Sequence, residues 1–183
     1  MEASAQVTAP GVSLRPTGPD DTERVHALYL SVPSYFDVLN APVPSAEEVR
    51  TELEAAAGDP RRRTELILLH DDPSPATPDP DPHTGAWVAG YLDVTLDYIE
   101  EGDATVNLLL VRTDLQRRGI GAACMRALEE RLQGRATRVL ASVYGSNPGA
   151  RRFWHQLGYR FAIDAAPVLA WYAKRIVPSA TPG

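Results

Sequence analysis

The feature that most constrains the fold is an apolar run that passes through a short loop into a helix. Residues 104–111 are nearly all apolar, which is typical of a central β-strand with both faces buried. Residues 112–118 form the loop, and an apolar stripe predicts a helix over 119–131. The start of a helix carries unpaired backbone N–H groups and a partial positive charge, so this junction predicts a phosphate-binding turn.

Three small residues leave space at the predicted helix start, and two cations stand beside it. Gly119 and Gly121 remove side chains where a pyrophosphate would approach, and Ala122 keeps the next position small. Arg117 and Arg118 add positive charge. These residue types favour a bound pyrophosphate.

Two common phosphate-binding motifs do not fit this segment. A P-loop requires a Lys-Ser or Lys-Thr pair after its glycine, and here Gly121 is followed by alanine. A dinucleotide-binding turn requires a third small residue and an acidic residue about 20 positions further on. Cys124 stands at that third position and residues 135–144 contain no acid, so this alternative fits poorly.

A third motif matches without a gap. Gln116, Gly119 and Gly121 occupy the fixed positions of the Q/R-x-x-G-x-G/A loop found in the GNAT superfamily of acetyl-CoA-dependent N-acetyltransferases. Residues 147–159 resemble the second signature of that family: an Asn, an Ala, two aromatics and then Leu-Gly-Phe/Tyr. The chain is identified as a member of the family, with a resemblance that spans residues 12–177.

The resemblance implies a single α+β domain of three layers over residues 12–177. A mixed central sheet of about seven strands is flanked by about four helices, and splayed central strands hold CoA. The pattern of residues predicts a helix over 21–31, with Asp20 or Asp21 as its cap, and a helix from Ser45 to Gly58, with a capping box of Ser45 and Glu48; a break at 31–37 separates them. The element order is β-α-α-β-β-β-α-β-α-β-β. Non-periodic stretches are predicted to be a mobile loop and two disordered tails: residues 71–84, 1–11 and 178–183.

The resemblance also implies where CoA is held. Backbone N–H groups of the loop and helix start bind the pyrophosphate, and the backbone of the preceding strand pairs with the pantetheine arm. Asn147, directly before Pro148, is predicted to cap a helix, to contact the CoA arm, or both. The predicted cofactor residues are Leu109, Leu110, Val111, Gln116, Arg117, Arg118, Gly119, Ile120, Gly121, Ala122 and Asn147.

The usual catalytic residues of the family are missing from their positions. The tyrosine that donates a proton in many relatives falls at Trp154, and the common glutamate base falls at Thr105; neither residue can take over the role. Tyr159 is the candidate proton donor, with Tyr144 and Tyr172 as further possibilities. The alternative for each of these tyrosines, and the one that the sequence favours, is a packed aromatic.

Substitutes for the base and for the acceptor pocket come from other segments. Asp93 is the candidate base, unless it is only an exposed strand charge. Asn107 is predicted to position a water, or else to pack or to hydrogen-bond at a strand end. Tyr35 and Phe36 lie where relatives shape the acceptor pocket, so they are predicted to form an aromatic wall.

The expected function is acetyl transfer from acetyl-CoA to a primary amine of a small molecule or a peptide, by direct attack on the thioester. The alternative is a CoA-binding module of the same fold without catalysis, which Trp154 and Thr105 favour. With 18 Lys and Arg against 24 Asp and Glu, the net charge of -6 disfavours nucleic-acid binding and would suit a cationic acceptor.

Composition limits the other partners. Cys124 is the lone cysteine and cannot form an internal disulfide, and the four histidines lack metal-ligand spacing, so no metal is expected. The sequence shows neither a basic, apolar leader nor an apolar run long enough to span a membrane. A cytoplasmic protein without membrane contact is expected, with a homodimer as one option for its assembly.

Overall fold

Seven strands form one mixed sheet in the computed structural model, which describes residues 11–70, 80–145, 147–165 and 169–176. The strands are β1 (Val12–Pro16), β2 (Arg62–Leu69), β3 (Trp87–Leu96), β4 (Asp103–Val111), β5 (Arg138–Tyr144), β6 (Arg160–Ala165) and β7 (Leu169–Arg175). The helices are α1 (Thr22–Leu30), α2 (Pro33–Leu39), α3 (Ala46–Gly58), α4 (Ile120–Leu132) and α5 (Pro148–Gln156).

The sheet runs in the order β1-β2-β3-β4-β5-β7-β6. Every neighbouring pair is antiparallel except β4 and β5, which run parallel near the middle of the sheet. The crossover between these two parallel strands contains α4, as parallel pairing requires. The predicted three-layer α+β domain is confirmed.

Helices cover both faces of the sheet, because alternate side chains of the central strands are apolar in both directions. Leu108 and Leu110 of β4 pack with α1, α2 and α3, whereas Leu109 and Val111 pack with α4 and α5. Cys124 of α4 is fully buried, and burial raises the pKa of its thiol to about 12. We refer below to the α1–α3 face and the α4–α5 face.

The structure has five α-helices among its described residues, where about four were predicted. The extra one is α2, which lies within the segment 31–37 that was predicted to be a break. Pro33 begins the helix, at a position where its missing N–H costs nothing, and Val32 and Phe36 share a buried face one turn apart. Pro33 was therefore a start signal, not a stop signal.

The helix caps agree with the sequence in one case and not in another. Ser45 and Glu48 form the predicted capping box: the Ser45 N–H donates to the Glu48 carboxylate at 2.7 Å, and the Glu48 N–H donates to Ser45 Oγ at 3.3 Å. Asp21 precedes α1 but makes no side-chain cap, because its buried carboxylate is paired with Arg15 at 2.7 Å.

The predicted mobile loop falls mostly at residues 71–79, outside the described residues, and residues 1–10 and 178–183 of the two predicted tails also lie outside them. No helix of the described ranges is long and apolar enough to cross a membrane.

Candidate functional site

A cleft opens in the middle of the sheet because β4 and β5 pair over only part of their length. The paired residues are Asp103–Val106 of β4 and Arg138–Ala141 of β5. Beyond them β4 stays paired with β3 as far as Val111, while β5 follows β7 as far as Tyr144. The facing edges of β4 and β5 therefore separate, as the predicted splayed central strands require.

A β-bulge lies at the point where the strands part. In the β3–β4 register, Asp93 is opposite Leu108 and Val94 is opposite Val106, so Asn107 is the extra residue. The bulge bends β4, and it directs the Asn107 amide to the α1–α3 face.

Two hydrogen bonds fix the side chain of Asn107. Its Nδ2 donates to Asp93 Oδ1 at 3.1 Å and to Thr95 Oγ1 at 2.8 Å. With both N–H bonds of the amide used in this way, Oδ1 is left as an acceptor, and no described residue donates to it. Asn107 also lines the cavity that fills the cleft, so its amide oxygen is available to a ligand.

The cavity in the cleft has a volume of about 760 Å³ and passes through the sheet from one face to the other. On the α4–α5 face it is lined by the loop after β4, the start of α4 and one side of α5. On the α1–α3 face it is lined by α2 and the end of β5. Its lining includes Gln116, Arg117, Gly119, Ile120, Gly121, Ala122, Asn147, Arg152, Phe153, Trp154, Leu108, Leu109, Val111, Ser142, Tyr144, Tyr35, Val38 and Leu39.

The helix-start end of the cavity, residues 116–122, has the geometry of an anion site. Gln116 Nε2 donates to the Val111 carbonyl at 3.0 Å and closes the loop onto β4. The first hydrogen bond of the helix runs from the Ala123 N–H to the Gly119 carbonyl at 2.9 Å, so the N–H groups of 120–122 precede the helical ladder. These backbone donors lie in the cavity wall, where the helix dipole adds positive potential.

The two glycines of this end have different roles. Gly119 has φ +82, in the left-handed region, and a Cβ there would meet nothing within 4 Å, so it is needed for its conformation and for the open space before the helix. A Cβ on Gly121 would lie 3.3 Å from the ring of Phe153 and 3.8 Å from Val111. Gly121 therefore lets α4 approach α5 closely, and its lack of a side chain also leaves space in the cavity. Arg117 also takes a positive φ, of 61°.

Asn147 caps α5 through its side chain. Its Oδ1 accepts a hydrogen bond from the Ala150 N–H at 2.9 Å, and Pro148 is the first residue of the helix. The predicted capping role is confirmed. Asn147 also lines the cavity, which is compatible with its second predicted role.

The aromatic end of the cavity is formed by Tyr35, Val38 and Leu39 of α2 together with Tyr144 of β5. Burial raises the pKa of Tyr35 to about 12, with a smaller contribution from Tyr144. A hydrogen bond of 2.6 Å from Thr113 Oγ1 to the Ser31 carbonyl ties the chain just before α2 to the loop after β4. The aromatic end is thereby held in place relative to the helix-start end.

Two of the residues predicted for chemistry lie away from the cavity. Tyr159 is fully buried, its hydroxyl donates to Glu129 at 3.0 Å, and burial together with Glu129 raises its pKa well above the ordinary value. Asp93 is 2 % exposed and is held by Arg62 Nε at 3.1 Å. Its carboxylate thus acts as an anchor for Asn107 and does not line the cavity.

Three residues predicted for binding are not among the lining residues of the cavity. Phe36 is buried in the core against Tyr29, so of the predicted aromatic pair it is Tyr35 that reaches the cavity. The Leu110 side chain packs on the α1–α3 face, and its backbone carbonyl faces β3, where a Cβ on Gly90 would clash with it. Arg118 is not among the lining residues.

The positions of Trp154 and Thr105 agree with their loss of the usual catalytic roles. Trp154 is 5 % exposed and packs against Phe153 and Tyr159, with ring centroids 4.9 Å away in both cases. Thr105 is fully buried and its Oγ1 donates to the Tyr98 carbonyl at 3.1 Å. Thr105 is a structural residue here, and Trp154, which lines the cavity, is held in place by aromatic packing.

Sequence reasoning missed Val38, Leu39 and Ser142 as lining residues. A signal was present for the first two, because positions 35, 38 and 39 follow the spacing of one helix face after Pro33. No comparable signal marks Ser142. It becomes part of the site because β5 leaves β4 at that point, where its Oγ donates to the Asn107 carbonyl at 3.4 Å.

The parted parallel strands, with a helix start at one face and a pocket at the other, form a single cavity through the sheet, and comparisons with known proteins identify the class of fold. The model of the acetyltransferase (GNAT) family matches residues 44–159. A solved acetyltransferase from Thermus thermophilus is 34% identical over 91% of this chain and 98% of that chain, with a TM-score of 0.79. The chain belongs to the GNAT acetyltransferase family.

More distant structures share the fold. An acetyl transfer enzyme from Salmonella typhimurium, which modifies the N-terminal serine of ribosomal protein L7/L12, is 16% identical with a TM-score of 0.71, covering 94% of this chain and 98% of that one. An aminoglycoside acetyltransferase in complex with coenzyme A is 16% identical with a TM-score of 0.68, covering 90% and 95%. No match was found among the curated proteins.

Within the described ranges, no group of three or more His, Cys, Asp and Glu side chains could hold a metal ion.

Proposed function

We propose that this acetyltransferase moves the acetyl group of acetyl-CoA to a primary amine. The observation that carries the proposal is the continuous cavity that joins the helix-start end to the aromatic end through the gap between β4 and β5. A donor and an acceptor can therefore enter from opposite faces of the sheet and meet between the strands.

The residues of the α4–α5 face fit the CoA moiety. The backbone N–H groups of 120–122 and the guanidinium of Arg117 suit its pyrophosphate, and the open space at Gly119 permits a close approach. Beyond Val106 the edge of β4 that faced β5 has lost this partner, so the backbone groups on that edge are available to pair with the amide-rich pantetheine arm, except for the Val111 carbonyl, which accepts from Gln116. Acetyl-CoA would supply the thioester that reacts.

In the proposed reaction the amine nitrogen attacks the acetyl carbonyl carbon. A C–N bond forms, the C–S bond breaks with its electron pair left on sulfur, and the proton lost by nitrogen ends on the thiol. Asn107 Oδ1 is placed to accept a hydrogen bond from the amine or from a water, because Asp93 and Thr95 hold the other side of the amide.

Tyr144 takes the place of Tyr159 as the candidate donor to the departing sulfur, because Tyr144 lines the cavity and Tyr159 does not. Tyr35 is the second candidate. With a pKa of about 12, its hydroxyl stays protonated near neutral pH and can donate a hydrogen bond to a thiolate. Solvent at the open cavity then relays the proton lost by the amine to the thiolate.

The test is a steady-state assay of thiol release from acetyl-CoA across a panel of primary amines, with the acetylated amine identified by mass. We expect amine-dependent thiol release and equal amounts of the two products. CoA binding by calorimetry without turnover on any amine would instead support the alternative, a CoA-binding module.

A further inference from the structure

The charged residues of the cavity wall are unevenly distributed between its two ends. The charged side chains among the described lining residues are Arg117 and Arg152, and both belong to segments of the α4–α5 face. The described lining contains no Asp or Glu. The aromatic end offers instead aliphatic and phenolic surface from Tyr35, Val38 and Tyr144.

The carboxylates closest to this end in the fold are directed elsewhere. Asp93 is bound by Arg62, and so is Glu52 of α3, at 2.9 Å. Asp37 belongs to α2, but it is exposed and is not among the lining residues. The excess of acidic residues that gives the chain its net charge of -6 is therefore absent from the described lining of the cavity.

We infer that the acceptor is a monoamine whose amino group is carried on an apolar or aromatic body, and not a polycation. This inference rests on the proposed acetyl transfer to an amine. The apolar body would lie against the aromatic end, with the amine directed to Asn107 in the gap between the strands.

Desolvation is the physical reason for this choice. A polyamine entering the aromatic end would lose hydration from several charges without meeting a carboxylate, whereas an apolar body gains from the same burial. An apolar surround also favours the neutral form of a single amine, and the neutral amine is the form that attacks. The cavity thereby supplies part of what a glutamate at Thr105 would supply in relatives that have one.

The test compares kcat/KM for phenethylamine with kcat/KM for spermidine, at the same pH and with acetyl-CoA saturating. We expect a ratio of at least about tenfold in favour of phenethylamine. A tripeptide with N-terminal phenylalanine carries its amine on a similar body. A higher kcat/KM for this tripeptide than for spermidine would also support the inference. Comparison of the tripeptide with phenethylamine would show whether the acceptor amine belongs to a chain terminus or to a small molecule.

Val38→Asp places a carboxylate at the aromatic end, at a residue that is 39% exposed and can be changed without disturbing the core. We expect the ratio to fall by about tenfold in favour of spermidine. Val38→Asn separates charge from polarity and should shift the ratio less. Leu30→Asp is the matched control, because Leu30 is 56% exposed, lies on α1 and does not line the cavity.

Faster acetylation of spermidine than of phenethylamine by the unmodified protein would overturn the inference and leave acetyl transfer standing. The same holds for a ratio that Val38→Asp leaves unchanged. Absence of acetyl transfer to every amine tested would overturn the proposed function itself.

Discussion

Compared with the helix-start end of the cavity, the aromatic end is assembled from distant parts of the chain. Residues 116–122 form the first end as one contiguous segment, and they act largely through backbone N–H groups. The second end joins residues 35–39 of α2 to Tyr144 of β5, more than a hundred positions apart, and acts through side chains.

Under the proposed function, the difference follows from what each end would bind. A pyrophosphate is a fixed chemical group, so one arrangement of glycines and backbone donors serves every protein that uses it. An acceptor differs from enzyme to enzyme, so its pocket consists of exchangeable side chains held by a fixed frame. Changes at the helix-start end should therefore affect cofactor affinity, and changes at the aromatic end should affect turnover and acceptor choice.

The largest effect is expected from Gly119→Leu. The new side chain would fill the open space in front of the N–H groups of 120–122, and we expect CoA affinity by calorimetry to fall by at least about 100-fold. Because Gly119 has φ +82, the substitution should also cost about 1–2 kcal/mol of unfolding free energy.

Gly134→Leu separates these two effects. Gly134 has φ +75 and equally open surroundings, but it follows α4 and does not line the cavity. It should show a similar loss of stability in urea with CoA affinity unchanged. Equal losses of affinity in both variants would mean that strain, not obstruction of the anion site, explains the result.

The fold was predictable because its signals are local. The apolar run at 104–111, the capping box at Ser45 and the cap at Asn147 each act over a few residues. The helix-start end was predictable for the same reason. Among the described helices α2 was missed, since Pro33 in the sequence indicates a stop and the periodic pattern after it covers only seven residues.

The aromatic end and the catalytic side chains depend on long-range placement. Whether Tyr159 or Tyr144 reaches the cavity depends on which face of the sheet each residue occupies and on where β5 parts from β4. Asp93 and Asn107 were both found as polar strand residues. The sequence could not show that one is the buried anchor of the other, because the bulge that joins them is a property of strand register.

An intermediate effect is expected from Tyr144→Phe. Loss of the hydroxyl should lower kcat by about tenfold, because the departing sulfur loses a hydrogen bond, while the affinity for CoA stays the same. Tyr159→Phe removes a hydroxyl that is bound to Glu129 outside the cavity, so kcat should be preserved. The reverse order of the two kcat values would restore Tyr159 as the proton donor.

The smallest effect is expected from Asn147→Ala, at a residue that both caps α5 and lines the cavity. Loss of the bond to the Ala150 N–H should lower the unfolding free energy by about 1 kcal/mol. That corresponds to a fall in Tm of roughly 2–4 °C in a chain of this size.

Asn147→Ser distinguishes the two roles of the asparagine, because serine caps a helix about as well but is too short to reach a ligand in the cavity. We expect CoA binding to be a few-fold weaker in both Asn147→Ala and Asn147→Ser. The Tm of Asn147→Ser should nevertheless equal that of the unmodified protein. Recovery of both quantities would limit Asn147 to capping and would place the boundary of the cofactor site at the helix-start end.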